Sequence, residues 1–173
     1  DGAELPRSTP ARGPVLAVSG SRSARTREQA DAAERAGWLV RSLELPCSGL
    51  ADEVTAALRS GTSVVLTSDD ADLAHPDVPS VLEAIAVAAA SVIDSAVRAG
   101  ATHRVIVCGG DTSSRVTKLL GVESLSIAAN PWDNVVVCAA HSPDEGIDGL
   151  ELLLKGGQVG DVDLFERIRL LGA

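Results

Sequence analysis

The sequence predicts a three-layer α/β/α domain built on a mixed, mostly parallel sheet. Three observations predict it. Short apolar runs rich in Val, Leu and Ile recur along the chain, as strands buried on both faces do. The first four of these runs alternate with helix-length segments, the pattern of parallel strands joined by crossovers. With 173 residues, of which 45% are apolar, the chain is long enough to bury roughly 70% of its unfolded surface in one core.

Residues 1–13 are polar and carry Pro6, Pro10 and Gly13, so they are expected to form a linker ahead of a domain at 14–173. The run 14–20 is the first strand. Residues 23–36, rich in Ala, Glu, Arg and Gln, form a helix that stops at Gly37. A strand is expected at 38–45, a short helix at 51–59 ahead of Gly61, and a strand at 63–68. A polar loop at 69–77 leads to a long helix at 79–99, with Pro79 in its first turn and Gly100 at its stop. Residues 103–108 form a fourth strand, followed by a helix that ends at Gly121.

The pattern then changes. Residues 122–128, 134–139 and 150–155 read as strands with no helix-sized segment between them. They are expected to pair antiparallel and extend the sheet. A last helix is expected at 161–171, after Gly160. We find no internal repeat and no low-complexity tract.

Composition narrows the function classes. Net charge is −9. That argues against a nucleic-acid-binding domain and against electrostatic attachment to an anionic membrane. The apolar stretch 81–97 is interrupted by Glu83 and Asp94, too broken for a membrane span. Cys47, Cys108 and Cys138 are widely spaced and lie in or beside apolar segments, which fits buried free thiols in a reducing cytosol. His75, His103 and His141 share no metal-ligand spacing. The Asp69, Asp70, Asp72 cluster reads as a solvated loop, with cation binding the lesser reading. The chain has no methionine and begins at Asp1, so it is expected to be a processed product or part of something longer.

Three segments share one design: a strand end, a small-residue loop, then a helix start. They are Ser19, Gly20, Ser21, Arg22, Ser23; Gly109, Gly110, Asp111, Thr112, Ser113; and Lys155, Gly156, Gly157, Gln158, Val159, Gly160, Asp161. Such loops present backbone N–H groups to an anion, and the helix dipole adds to the attraction. Glycine admits the close approach of a phosphate and positive φ. Ser and Thr hydroxyls can donate to phosphate or ligate magnesium. Ligands of open α/β sheets bind beyond the carboxyl ends of the strands. Lys155, Arg22 and Arg115 are the candidate cations. A plainer reading stands beside each of these: Ser21 or Ser23 capping the first helix, Asp111 or Thr112 capping a later one, a simple turn at Gly156–Gly160, and solvated charge at Arg22 and Arg115. None of the loops matches a Walker or Rossmann glycine pattern. Trp132 either lines a pocket or covers the sheet edge.

In order and spacing, three stretches resemble the C-terminal domain of the four-carbon acid sugar kinase family: Val18-Ser-Gly-Ser21 followed by Thr26 and Gln29; Val107-Cys-Gly-Gly-Asp-Thr-Ser113 followed by Leu119-Leu-Gly-Val122; and Leu154-Lys-Gly-Gly-Gln-Val-Gly-Asp161 followed by Leu164-Phe165. The likeness runs from about Pro14 to Leu171. Two departures stand out: Ser-Arg-Ser-Ala after Gly20, and the Asn130-Pro-Trp-Asp-Asn134 segment.

The resemblance implies an ATP-dependent kinase of two domains. The N-terminal domain, missing from this chain, would hold the acid sugar (threonate, erythronate or an oxo-tetronate), which is phosphorylated at its terminal hydroxyl. The part seen in this chain would bind ATP with Mg2+. Carried onto this sequence, Ser19, Gly20, Ser21, Gly109, Gly110, Asp111, Thr112, Ser113, Lys155, Gly156, Gly157 and Gly160 would contact ATP. Thr112 or Asp111 would hold magnesium; Asp111 and Lys155 are the candidate catalytic groups, with a general base from the missing domain as the alternative. ATP or ADP and the acid sugar are the expected partners, in the cytoplasm, with a homo-oligomer compatible and neither nucleic acid nor membrane involved. The isolated domain is expected to bind ATP weakly and not to phosphorylate an acid sugar alone. The alternative is a non-catalytic module binding a nucleotide or phosphometabolite; a third reading makes the domain an assembly unit whose loops only cap helices.

Overall fold

The computed structural model describes residues 5–10, 12–43, 49–68 and 81–173. Along them run β1 (Leu16–Ser19), α1 (Ala24–Arg35), β2 (Leu39–Ser42), α2 (Leu50–Arg59), β3 (Val64–Thr67), α3 (Val81–Arg98), β4 (Arg104–Cys108), α4 (Gly110–Leu119), β5 (Ser124–Trp132), β6 (Val135–His141), β7 (Glu151–Lys155) and α5 (Leu164–Arg169). The expected cluster Asp69, Asp70, Asp72, together with Cys47, His75 and Pro79, lies outside the described residues.

The strands form one sheet in the order β2-β3-β1-β4-β7-β6-β5. From β2 to β7 the neighbours are parallel. β6 is antiparallel to β7, and β5 to β6. The α/β/α class and the mostly parallel sheet are therefore as the sequence predicts. One pairing differs from expectation: β7 is antiparallel to β6 but parallel to β4, so the last strand is inserted beside β4 rather than added at the edge.

Alternation along the strands builds two cores. Leu16 and Val18 pack with α2, α3 and α4 on one face, through Val54, Leu58, Ile85, Ile93 and Val116. Val15 and Ala17 pack on the other face with α1 and α5, through Ala30, Ala33, Phe165 and Ile168. This is the two-residue period of a strand covered on both sides. No described helix is long and apolar enough to cross a membrane.

Two element boundaries need correction. β5 runs on through Asn130-Pro-Trp132, with a bulge at Ile127/Ala129. The bulge turns Ala129 into the α1/α5 core while Leu125 and Ile127 stay exposed. The last helix spans only Leu164–Arg169, not 161–171. Residues 161–163 form a turn instead, closed by Leu164 N donating to the Asp161 carbonyl at 3.1 Å, and the helix starts beyond it.

At the amino-terminal edge of the sheet, Arg104 and Glu151 are buried partners that open β4 and β7. Arg104 Nε donates to Glu151 Oε2 at 2.7 Å. Its Nη1 donates to the carbonyls of Ile168 and Leu171 at 2.8 and 3.0 Å, and Nη2 to Thr9 Oγ1 at 2.6 Å. Arg12 Nε reaches Glu151 Oε1 at 3.0 Å, and Asn130 N donates to the Pro6 carbonyl at 2.7 Å. Several residues ahead of β1 are thus fastened to the domain.

Candidate functional site

The three loops singled out in the sequence leave three adjacent strands at one level. Ser19 ends β1, Cys108 ends β4 and Lys155 ends β7, and the three are register partners across the sheet. Backbone bonds tie the loop starts together: Gly20 N to Cys108 O at 3.0 Å and Gly109 N to Lys155 O at 2.9 Å. α1 leaves β1 toward one face and α4 leaves β4 toward the other. The carboxyl ends of β1 and β4 therefore border a crevice where ligands of open α/β sheets bind.

Glycine makes the convergence possible. A Cβ on Gly20 would collide with Thr112 Oγ1, and one on Gly157 would lie 2.5 Å from Ser21 Oγ and 2.9 Å from Ser23 Oγ. Gly109 has a φ of +110° and lies against Gly20 and Ser21. A Cβ on Gly110, by contrast, would enter open space.

The loops differ in how their N–H groups are used. In the first, Ser21 N donates to Ser19 Oγ at 3.2 Å and Ser23 N to Ser21 Oγ at 3.3 Å. Ser23 caps α1, its Oγ accepting from Thr26 N at 3.1 Å; the plain capping role holds for Ser23. In the second, the N-cap of α4 is Gly109, with no side-chain cap. Neither Asp111 nor Thr112 takes that role. The first-turn amides of an uncapped helix have no intrahelical acceptor, and among the described residues those of Gly110, Asp111 and Thr112 donate no hydrogen bond. Asp111 is exposed on that turn, whereas Thr112 and Ser113 are buried. Ser113 Oγ turns inward to the Val107 carbonyl at 3.3 Å.

The third loop is held from beneath. Lys155 is buried. Its Nζ donates to Thr26 Oγ1 and to the Gly156 carbonyl, each at 3.1 Å. Burial lowers the Lys155 ammonium pKa, partly offset by the neighbouring Cys108 thiol. Burial likewise pushes the Cys108 thiol up to about 11, against the pull of Lys155. Because α5 starts at Leu164, this loop is not the start of a helix, as the sequence pattern suggested.

The other candidate cations sit apart. Arg115 pairs with Glu83 on the α3 side of α4, and Arg22 is exposed. Among the described residues no group of three or more His, Cys, Asp or Glu is placed to hold a metal. Trp132 lines a cleft of about 440 Å³ between the β5–β6 turn and the third loop, together with Val135, Val159, Gly160 and Leu164. Arg167 lies 4.0 Å over its ring.

Sequence reasoning did not assign Ser23, Thr26 and Gln29 as supports of the third loop. Thr26, Gln29, Ala30 and Ala33 are the buried residues of α1, a helical stripe. Two polar residues on an otherwise Ala-lined stripe were the available signal.

Comparison with known proteins shows the family. Residues 16–165 match the model of a family described as a nucleotide-binding C-terminal domain. The chain is 34% identical over 193 aligned positions to a 3-oxo-isoapionate kinase from Paraburkholderia graminis, covering 94% of this chain and 40% of that protein. The chain thus spans less than half the length of this curated relative. A crystal structure of a domain of unknown function from Bordetella bronchiseptica, a domain-swapped dimer with bound citrate, has the same fold, at a TM-score of 0.72 and 22% identity over 91% of this chain and 40% of that one. A structure from Haemophilus influenzae does too, at 0.67 and 19% over 95% and 42%. The chain therefore belongs to the nucleotide-binding C-terminal domain family, and the resemblance to the C-terminal domain of the four-carbon acid sugar kinases, drawn from its three loops, holds.

Proposed function

We propose that this chain is the ATP-binding part of a kinase that phosphorylates the terminal hydroxyl of a four-carbon acid sugar. One observation carries the reading: three small-residue loops converge at the ends of β1, β4 and β7, beside the uncapped amino terminus of α4. Phosphoryl transfer depends on positioning and charge stabilisation more than on covalent help from the protein. An acidic chain accommodates an anionic nucleotide through such local N–H groups rather than through net charge.

On this reading the amides at Gly110, Asp111 and Gly157 receive phosphate oxygens, while Ser19, Gly20, Ser21, Gly156 and Gly160 shape the walls. Buried Lys155 supplies positive charge from beneath the third loop. A magnesium ion would find its protein contact at exposed Asp111 rather than at Thr112, whose buried side chain is packed against Gly20. The cleft beside Val135, Val159 and Leu164 is within the size range of small-ligand pockets and offers aliphatic walls for the base. Arg167 over the Trp132 ring favours those walls over ring stacking. The acid sugar is assigned to residues outside this chain. The similarity to a protein named as a 3-oxo-isoapionate kinase supports the phosphotransferase class.

A thermal-shift titration tests the reading. Mg-ATP and ADP are expected to raise Tm, since a ligand at 100 times its Kd stabilises by about 2.7 kcal/mol. No shift with either nucleotide at millimolar levels, or a shift with NAD alone, overturns it.

A further inference from the structure

Four carbonyls of the third loop, those of Gly157, Val159, Gly160 and Asp161, are taken from the α1 side. Ser23 Oγ and Thr26 Oγ1 donate to the Gly157 carbonyl at 2.6 and 2.9 Å. Gln29 Nε2 reaches the carbonyls of Val159, Gly160 and Asp161 at 3.1, 3.2 and 2.8 Å. Lys155 Nζ takes the Gly156 carbonyl. In a trans peptide unit the C=O of one residue and the N–H of the next point in opposite directions. Drawing these carbonyls toward α1 therefore turns the amides of Gly157, Gln158, Gly160, Asp161 and Val162 away from it. Among the described residues none of these amides donates a hydrogen bond. Gln158, Gly160 and Asp161 also line the cleft next to Trp132.

Gln29 marks the arrangement as specific. It is fully buried, and among the described residues its Oε1 has no partner. A buried acceptor left unpaired is costly, so the two N–H donors of the amide, one of them shared between carbonyls, serve the loop at the expense of its own oxygen.

We propose that Ser23, Thr26, Gln29 and Lys155 form a carbonyl clamp that holds the third loop with its amides free for phosphate oxygens. The proposal rests on the nucleotide-binding reading above and makes Ser23, Thr26 and Gln29 positioning residues for it. They touch the loop and not the ligand. The clamp also accounts for the polar positions on the buried stripe of α1, which core packing alone would fill with Ala or Leu.

The experiment uses the full chain and three variants, two of them a pair at Thr26. Thr26→Val keeps the side-chain shape and removes the hydroxyl; Thr26→Ser restores it. Gln29→Ala removes the donor to three carbonyls. Backbone 15N relaxation reads the mobility of Gly156–Gly160 without ligand, and calorimetry reads affinity for Mg-ATP and for inorganic pyrophosphate well below Tm. In Thr26→Val and Gln29→Ala the loop is expected to gain fast motion, and both affinities to fall about tenfold or more, the equivalent of one good hydrogen bond to a charged group. Thr26→Ser is expected to return toward wild type, which a general loss of packing would not do. A wild-type chain that binds both ligands, with Thr26→Val and Gln29→Ala binding them equally well or keeping a rigid loop, overturns the clamp alone. A wild-type chain that binds neither ligand overturns the nucleotide reading and the clamp's role together.

Discussion

Thr112 Oγ1 occupies the space that a side chain on Gly20 would need. Thr112 is buried at the start of α4, and its branched side chain cannot swing aside freely. Gly20→Ala is therefore expected to overpack the junction of the first two loops and destabilise the fold by about 1–3 kcal/mol. Thr112→Ala in the same chain removes the colliding oxygen and is expected to recover part of the loss. Urea denaturation of both single variants and the double measures the coupling. Purely additive effects would show that the two residues do not compete for the same space.

Gly110 and Gly157 separate binding from folding. A side chain on Gly110 meets nothing, whereas one on Gly157 runs into Ser21 and Ser23. Gly110→Val is expected to keep a near-native Tm, within about 1 kcal/mol of wild type after the cost of a β-branched residue in a helix, and to lose Mg-ATP binding by filling the space before the free amides of α4. Gly157→Val is expected to lose binding and stability together. Calorimetry paired with thermal melts distinguishes the two. Retained binding in Gly110→Val would place the phosphates elsewhere.

Much of this was legible in sequence, for reasons that are local. Val15–Val18 alternates between two cores, and Gly37, Gly100 and Gly121 mark helix ends, because strand and helix signals depend on neighbours a few residues apart. The three loops were legible for the same reason. What the sequence concealed was long-range. That Lys155 turns inward depends on Thr26 and Cys108, far away in the chain. That β7 lies beside β4 depends on which hydrophobic faces remain to be covered once β5 and β6 have paired. The buried role of Gln29 follows from the path of a loop 130 residues later.

Cys108 is expected to behave as an inert thiol. Its folded pKa of about 11 exceeds the ordinary 9.0 because the group is buried. A thiol raised on folding contributes stability that is full below pH 9 and is lost as pH rises toward 11. The lowered ammonium of Lys155 works in the opposite sense, relieving a burial cost as pH climbs toward 10.5. Replacing Cys108 with Ala isolates the thiol's share: between pH 9 and 11 wild type is expected to lose stability relative to the variant, on the order of 2 kcal/mol. A disulfide-exchange reagent at pH 8 is expected to label Cys108 only after unfolding. Rapid labelling of the native chain at Cys108 would contradict its burial.

The Arg104–Glu151 pair lies at the other end of the strands from the loops, so its loss is expected to weaken the fold and spare the site. Both groups are buried, and Arg104 also holds Thr9, the Pro10 carbonyl and the last carbonyls of the α5 segment. Arg104→Met leaves Glu151 its second partner, Arg12, but takes the only side-chain donor that the Ile168 and Leu171 carbonyls have among the described residues; a cost of about 3–5 kcal/mol is expected. Arg104→Met with Glu151→Leu removes both charges and is expected to recover part of the loss, since a buried ion pair often yields to a well-packed apolar one. Gly109 lies five positions beyond Arg104, at the far end of β4, roughly 16 Å at the rise of a strand. Mg-ATP affinity measured on the folded fraction is therefore expected to stay within about twofold of wild type, a difference near 0.4 kcal/mol. A large fall in affinity at unchanged stability would mean that the hub sets the geometry of the loops through β4 and β7.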